Sequence, residues 1–149
     1  MDHEHYMSEA IEMAITAAAA GELPFGAVLV DPDGAVVART HDTTARDQDA
    51  THHCELLAVS EASATLAMNL EGCTLYCTGE PCGMCFGAAW WARVSHIVFG
   101  NSMAELKRLC GDSMEEAMGP TERMNDMVIR KIEIISGVLQ EECLALWKE

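Results

Sequence analysis

Two short segments, far apart in the chain, hold the residues that most restrict its fold. His53-Cys54-Glu55 is followed, twenty-nine residues after His53, by Cys82 in the run Pro81-Cys82-Gly83-Met84-Cys85. One imidazole and two thiolates suit zinc, and three protein ligands leave the fourth tetrahedral position to water, as catalytic sites do. A fold that uses all three must bring two distant chain segments to one point. Cys82 and Cys85 stand at i and i+3, so at a helix start both sulfurs face one side. The free N–H groups and partial positive charge there favour thiolates, and Pro81 suits a helix edge, where its missing N–H costs little. His53 and Glu55 would diverge on a regular helix. This predicts His53 in or just before a first turn, with both side chains entering one cleft. The H-x-E spacing selects His53 over its neighbour His52 as the ligand.

The periodicity around these segments alternates. Tyr6 to Ala20 is helical in pattern, with Met7, Ile11, Ile15 and Ala18 on one face and Gly21 as a stop. Phe25 to Val30 and Ala35 to Thr40 read as strands joined by the turn sequence Asp31-Pro32-Asp33-Gly34. Asp42 to Thr51 is polar and loop-like, Glu55 to Met68 helical, Thr74 to Thr78 a strand, Cys82 to Ala92 a helix and His96 to Phe99 a strand. Ala104 to Met118 reads as a helix broken at Gly111, Lys131 to Ile135 as a strand, and Leu139 to Trp147 as a closing helix. Strands interleaved with helices predict an α/β sheet flanked by helices and opened by an antiparallel hairpin, as a single domain over residues 1–149.

Composition narrows the partners. There are 24 acidic residues against 9 basic ones, a formal net charge of −15. Nucleic-acid binding draws much of its affinity from Lys and Arg neutralising phosphates, and a polyanion is repelled at long range by such a surface. A small, neutral ligand is therefore expected, and nucleic acid is not. The seven cysteines are an odd number. The opening Met1-Asp2-His3-Glu4-His5 has no basic run before an apolar one, and no stretch approaches the ~18 apolar residues of a membrane span. A cytoplasmic protein is expected, with two cysteines on metal and the others packed or at the surface.

The chemistry follows from the residue types. Zinc lowers the pKa of a bound water and a nearby carboxylate takes the proton. Glu55 is that carboxylate. The H-x-E…P-C-x-x-C order resembles the signature of the zinc-dependent nucleobase deaminases, which implies hydrolysis at an amidine-like ring carbon, with Glu55 returning protons to a ring nitrogen and to the departing amine as ammonia leaves.

The segments Pro24-Phe25-Gly26-Ala27-Val28-Leu29-Val30, His53-Cys54-Glu55 and Leu75 through Pro81-Cys82-Gly83-Met84-Cys85 to Arg93 carry a wider likeness. Through them the chain resembles the cytidine-deaminase-like superfamily, and within it the branch of guanine deaminases and tRNA adenosine deaminases. The resemblance implies a three-layer α/β/α fold around a five-stranded mixed sheet, one zinc ion per chain, and a homodimer whose active site borrows residues from the neighbour. Trp90-Trp91-Ala92-Arg93 resembles the guanine deaminases, and Gly111-Asp112-Ser113 lies where they place an acidic residue for the purine amino side. Gly137 to Cys143 is similar to the closing helix of the tRNA enzymes, but that helix usually ends in a basic tail, whereas here it ends Leu146-Trp147-Lys148-Glu149.

The substrate expected is thus guanine or a related free purine or triazine. The alternatives are a wobble-position tRNA adenosine, or cytosine and its nucleosides. A non-catalytic partner subunit is disfavoured because Glu55 is present. Phe25, Trp90 and Trp91 are the candidate aromatic contacts, Asp112 the acidic one, and Glu80 serves through its backbone carbonyl near the leaving amine. Asp42 stands where the family usually has asparagine. An ionised aspartate accepts hydrogen bonds but does not donate them, so either a different set of ring donors is preferred or Asp42 is held protonated. Cys54 replaces the usual alanine and is expected to pack.

Overall fold

A computed structural model describes residues 1–111, 114 and 120–148. Asp2 caps helix α1 (His3–Ala19) by accepting from the His5 N–H. The hairpin of β1 (Gly26–Val30) and β2 (Val36–His41) follows. Its turn is locked by Asp31, whose carboxylate accepts from the N–H groups of Asp33 and Ala35, while Gly34 takes φ +89°. The chain continues through α2 (Thr44–Asp47), α3 (Cys54–Thr65), β3 (Thr74–Gly79), α4 (Gly83–Trp91) and β4 (His96–Asn101). Helix α5 (Met103–Cys110), α6 (Thr121–Met127), β5 (Glu133–Ile135) and α7 (Gln140–Ala145) complete it.

The five strands form one sheet in the order β2-β1-β3-β4-β5. Strand β1 is antiparallel to β2 and β3, while β3, β4 and β5 run parallel. Alternation along each strand divides the interior into two layers. Ala27, Leu29, Leu75, Cys77, Ile97 and Phe99 face a core completed by Ala58 and Ala62 of α3, Phe86 and Ala89 of α4 and Met124 of α6. Val28, Val30, Tyr76 and Val98 face the other way, onto Met7 and Ala10 of α1 and Cys143 of α7. This is the three-layer α/β/α arrangement with a mixed sheet. Helix α1 presses so closely on β1 that a Cβ at Gly26 would overlap the Ala10 carbonyl and stand 2.5 Å from the Ala14 nitrogen.

Two helices depart from the sequence reading. Residues 42–51 read as loop, yet Thr44–Asp47 is helical because the Glu22 carboxylate, nearly buried, accepts from the N–H groups of Ala45 and Arg46. No element was expected at Thr121–Met127. That helix starts on a carboxylate 41 residues earlier, Glu80, which accepts from the Thr121 N–H. Both caps come from distant sequence, so local pattern does not announce them. Of the stretch from Ala104 to Met118, expected to break at Gly111, helix α5 ends at Cys110 with Gly111 at φ +62°, and residues 115–118 lie outside the described residues. Asp112 and Ser113 lie outside the described residues. Among the described residues no helix is long and apolar enough to cross a membrane.

Candidate active site

The two ligand segments meet at the starts of α3 and α4. His53 is the N-cap of α3, in extended backbone conformation. Thr40 of β2 holds that start to the sheet by donating to the Cys54 carbonyl at 2.6 Å. Cys82 is the extended N-cap of α4, one residue outside the helix expected to begin with it, and Cys85 sits in the first turn. His53 Nδ1 lies 3.6 Å from each sulfur, and the three ligand atoms are all within 4.8 Å of one another. Zinc bonds of about 2.0 Å to nitrogen and about 2.3 Å to sulfur, at tetrahedral angles, separate N and S by about 3.5 Å. The donor set and its spacing therefore fit one zinc ion.

The electrostatics of the cluster already favour a ligand set. The thiol of Cys85, hydrogen-bonded to Cys82, draws the Cys82 thiol down to about 4, and His53 acts in the same direction. Cys85, beside that thiolate and buried, is pushed far above the thiol range. Both sulfurs bind a metal as thiolates, so metal binding releases protons. The bond to Cys82 raises His53. Glu55 is 5% exposed, and burial lifts its carboxyl above the usual carboxylate range. A carboxyl shifted upward beside a metal set has the character of an acid–base group. Cys54 points into the α3–α4 core, 1% exposed, with burial as the main cause of its raised thiol.

The remaining candidates fall into three groups. Phe25 and Asp42 stand at the hairpin end nearest the ligands. The Asp42 N–H donates to the Phe25 carbonyl, and the Asp42 carboxylate, 4% exposed, accepts from the Thr44 N–H. The Phe25 ring lies over Gly79, where a Cβ would stand 2.8 Å from its Cε1. Its aromatic neighbour is Trp147, edge-on with ring centroids 5.0 Å apart. Sequence reasoning missed Trp147, which was read only as part of a closing helix. No spacing in the sequence ties it to Phe25, 122 residues earlier.

Trp90 and Trp91 form the second group, at the far end of α4. The Trp90 indole donates to the Arg130 carbonyl, and the Arg130 guanidinium lies 4.8 Å over the ring and donates to the Trp90 carbonyl. Trp91 is 78% exposed and meets the edge of Trp90. The ring neighbour of Phe25 is Trp147, while Trp90 and Trp91 pair with each other. Glu80 is the third group: its carboxylate is taken up by the N–H groups of Met103 and Thr121 and the Thr121 hydroxyl, and its own N–H donates to the Asn101 carbonyl. His52 is held by Asp47 at 2.7 Å and Asp49 at 3.2 Å, outside the ligand cluster.

Known proteins share this arrangement. Residues 1–101 match the model of the cytidine and deoxycytidylate deaminase zinc-binding region. The chain is 42% identical over 141 residues to the tRNA-specific adenosine deaminase of Bacillus subtilis, covering 94% of this chain and 83% of that protein. It is 39% identical over 101 residues to the guanine deaminase of the same organism, covering 66% of this chain and 64% of the relative. The solved guanine deaminase of Nitrosomonas europaea superimposes with a TM-score of 0.84 at 27% identity, covering 96% of this chain and 81% of that one. Fold, metal set and buried glutamate define a zinc-dependent hydrolytic deaminase. The chain belongs to the cytidine and deoxycytidylate deaminase zinc-binding family.

Proposed function

We propose that the protein deaminates a free aminated nucleobase, guanine or a related purine or triazine, in the cleft at the starts of α3 and α4. The buried Glu55 beside the His53–Cys82–Cys85 cluster carries the reading of the chemistry. His53, Cys82 and Cys85 would hold a zinc ion, which would supply the means to activate a water near neutral pH. Glu55 accepts the proton of the attacking water and hands it to the ring nitrogen as the new C–O bond forms. It then moves a second proton to the exocyclic amine, the C–N bond breaks, and ammonia leaves. Phe25 supports the flat face of the ring. Asp42 accepts hydrogen bonds from a donor edge, and the Glu80 backbone carbonyl receives the departing amine.

Charge favours a free base over RNA. The formal charge is −15, and several of the nine cations are already engaged. Arg39 pairs with Glu9 and Arg46 with Asp47, while Lys131 is wrapped by the carbonyls of Asn125, Asp126 and Val128. A second reading, deamination of a wobble-position adenosine in tRNA, has its own support in the 42% identity to the Bacillus subtilis enzyme across 94% of this chain. The exposed α4 face with Met84 and Trp91 supports pairing with a second copy as a homodimer, which sedimentation of wild type and Trp91→Glu tests.

Ammonia release by the zinc-loaded protein decides between the substrates, using guanine, adenine, cytosine, isocytosine, ammeline, nucleosides and an anticodon stem-loop RNA. Turnover of guanine or another free base is expected, insensitive to salt. Activity on the RNA alone, weakening as salt rises, would overturn the free-base reading.

A further inference from the structure

Glu80 links β3 to the Cys82 turn, yet its buried carboxylate faces away from the metal ligands. It accepts from the N–H of Met103 at 2.9 Å, and from the N–H and hydroxyl of Thr121 at 2.6 and 2.8 Å. Met103 and Thr121 are the first residues of α5 and α6. The Glu80 N–H itself donates to the Asn101 carbonyl at 2.8 Å. One carboxylate therefore ties the metal-binding turn to the starts of two helices. Bonds from three donors to a buried carboxylate are among the stronger ones a protein makes.

The tied helices lead back to the proposed binding site. Leu106 of α5 and the Phe25 ring share the space over Gly79, so moving α5 moves the support beneath Phe25. Helix α6 packs on α4 and places Met124 in the core that includes Phe86. The metal ligands, by contrast, are held by the turns of α3 and α4, and Glu55 by α3 itself. We propose that the Glu80 carboxylate is a positioning residue for substrate binding: it sets α5 and α6 in register with the ligand turn, and through Leu106 fixes the Phe25 wall. The role rests on the reading of Phe25 as a ring contact given above.

The test is Glu80→Gln, which keeps shape but turns an amide N–H toward N–H donors. We expect one zinc per chain as in wild type, kcat within about threefold, and KM raised about tenfold, the pattern of lost ground-state and transition-state binding alike. Thr121→Val removes one donor without changing volume and is expected to raise KM about threefold, with Thr121→Ser at the wild-type value. The substrate is guanine, or the stem-loop RNA if wild type turns over only that. A wild-type KM in Glu80→Gln, or a fall in kcat as large as that in kcat/KM with zinc retained, would overturn the proposal. If Glu80→Gln does not fold, an unchanged KM in Thr121→Val overturns it. Hydrogen exchange separates this from the functional reading. The Met103 and Thr121 amides should exchange faster in Glu80→Gln whatever the substrate, and unchanged protection there overturns the tether even if no substrate is turned over.

Discussion

A carboxyl group 5% exposed, set two residues from a metal ligand on the first turn of a helix, keeps its proton to higher pH than a carboxyl in water. That suits Glu55 to give back what it takes. Glu55→Ala should retain one zinc per chain by elemental analysis while ammonia release falls about 10²–10⁴-fold, the usual worth of a positioned acid–base group. Asp42→Asn restores a side-chain donor and should change the ratio of kcat/KM between guanine and the other bases of the panel, with zinc content unchanged. The ligands and Glu55 were legible in sequence because their relation is local: an H-x-E start and a C-x-x-C start, each on one helix turn. The partners of Glu80 lie 23 and 41 residues away, and no spacing rule reaches that far. Trp147 escaped for the same reason, since its contact with Phe25 joins opposite ends of the chain.

Most helices and strands were legible where their own residues made the case, although α1 buries Met7, Ala10, Ala14 and Ala17 and leaves Ile15 of the expected face exposed. Strand β1, with every residue buried, and the hairpin with its Asp31 turn needed no distant help. Helices α2 and α6, four and seven residues long, exist because Glu22 and Glu80 satisfy their first N–H groups. Short helices are otherwise marginal. Close packing between elements gives a sharp test. In Gly26→Ala the new methyl would overlap the backbone of α1, so α1 must shift off β1. The urea midpoint of the zinc-loaded protein should fall by the equivalent of at least about 1–3 kcal/mol. An unchanged midpoint would show that α1 is not seated as described.

The molecule as a whole buries six of its seven cysteines, and that couples its stability to pH. Burial raises the thiols of Cys54 and Cys77 well above their ordinary range and that of Cys143 to about 12. In the unfolded chain these thiols lose their protons from about pH 8.5 upward, while in the folded protein they keep them. The unfolded state then binds fewer protons, so stability is full below that pH and declines as pH rises, by up to about 1.4 kcal/mol per pH unit for each thiol. Urea midpoints measured from pH 8 to 10.5 should decline steadily, and Cys143→Ala should flatten the slope by one group's share. The order of strands has a consequence in time. Strand β3 comes third along the chain but lies at the centre of the sheet, between β1 and β4, with His53 before it and Cys82 after it. Its insertion closes long-range pairings that form slowly, and only afterwards are the imidazole and both sulfurs neighbours. Refolding in the presence of cobalt should therefore show the visible thiolate–metal absorption rising with the slowest phase, so that the colour clocks the arrival of the central strand.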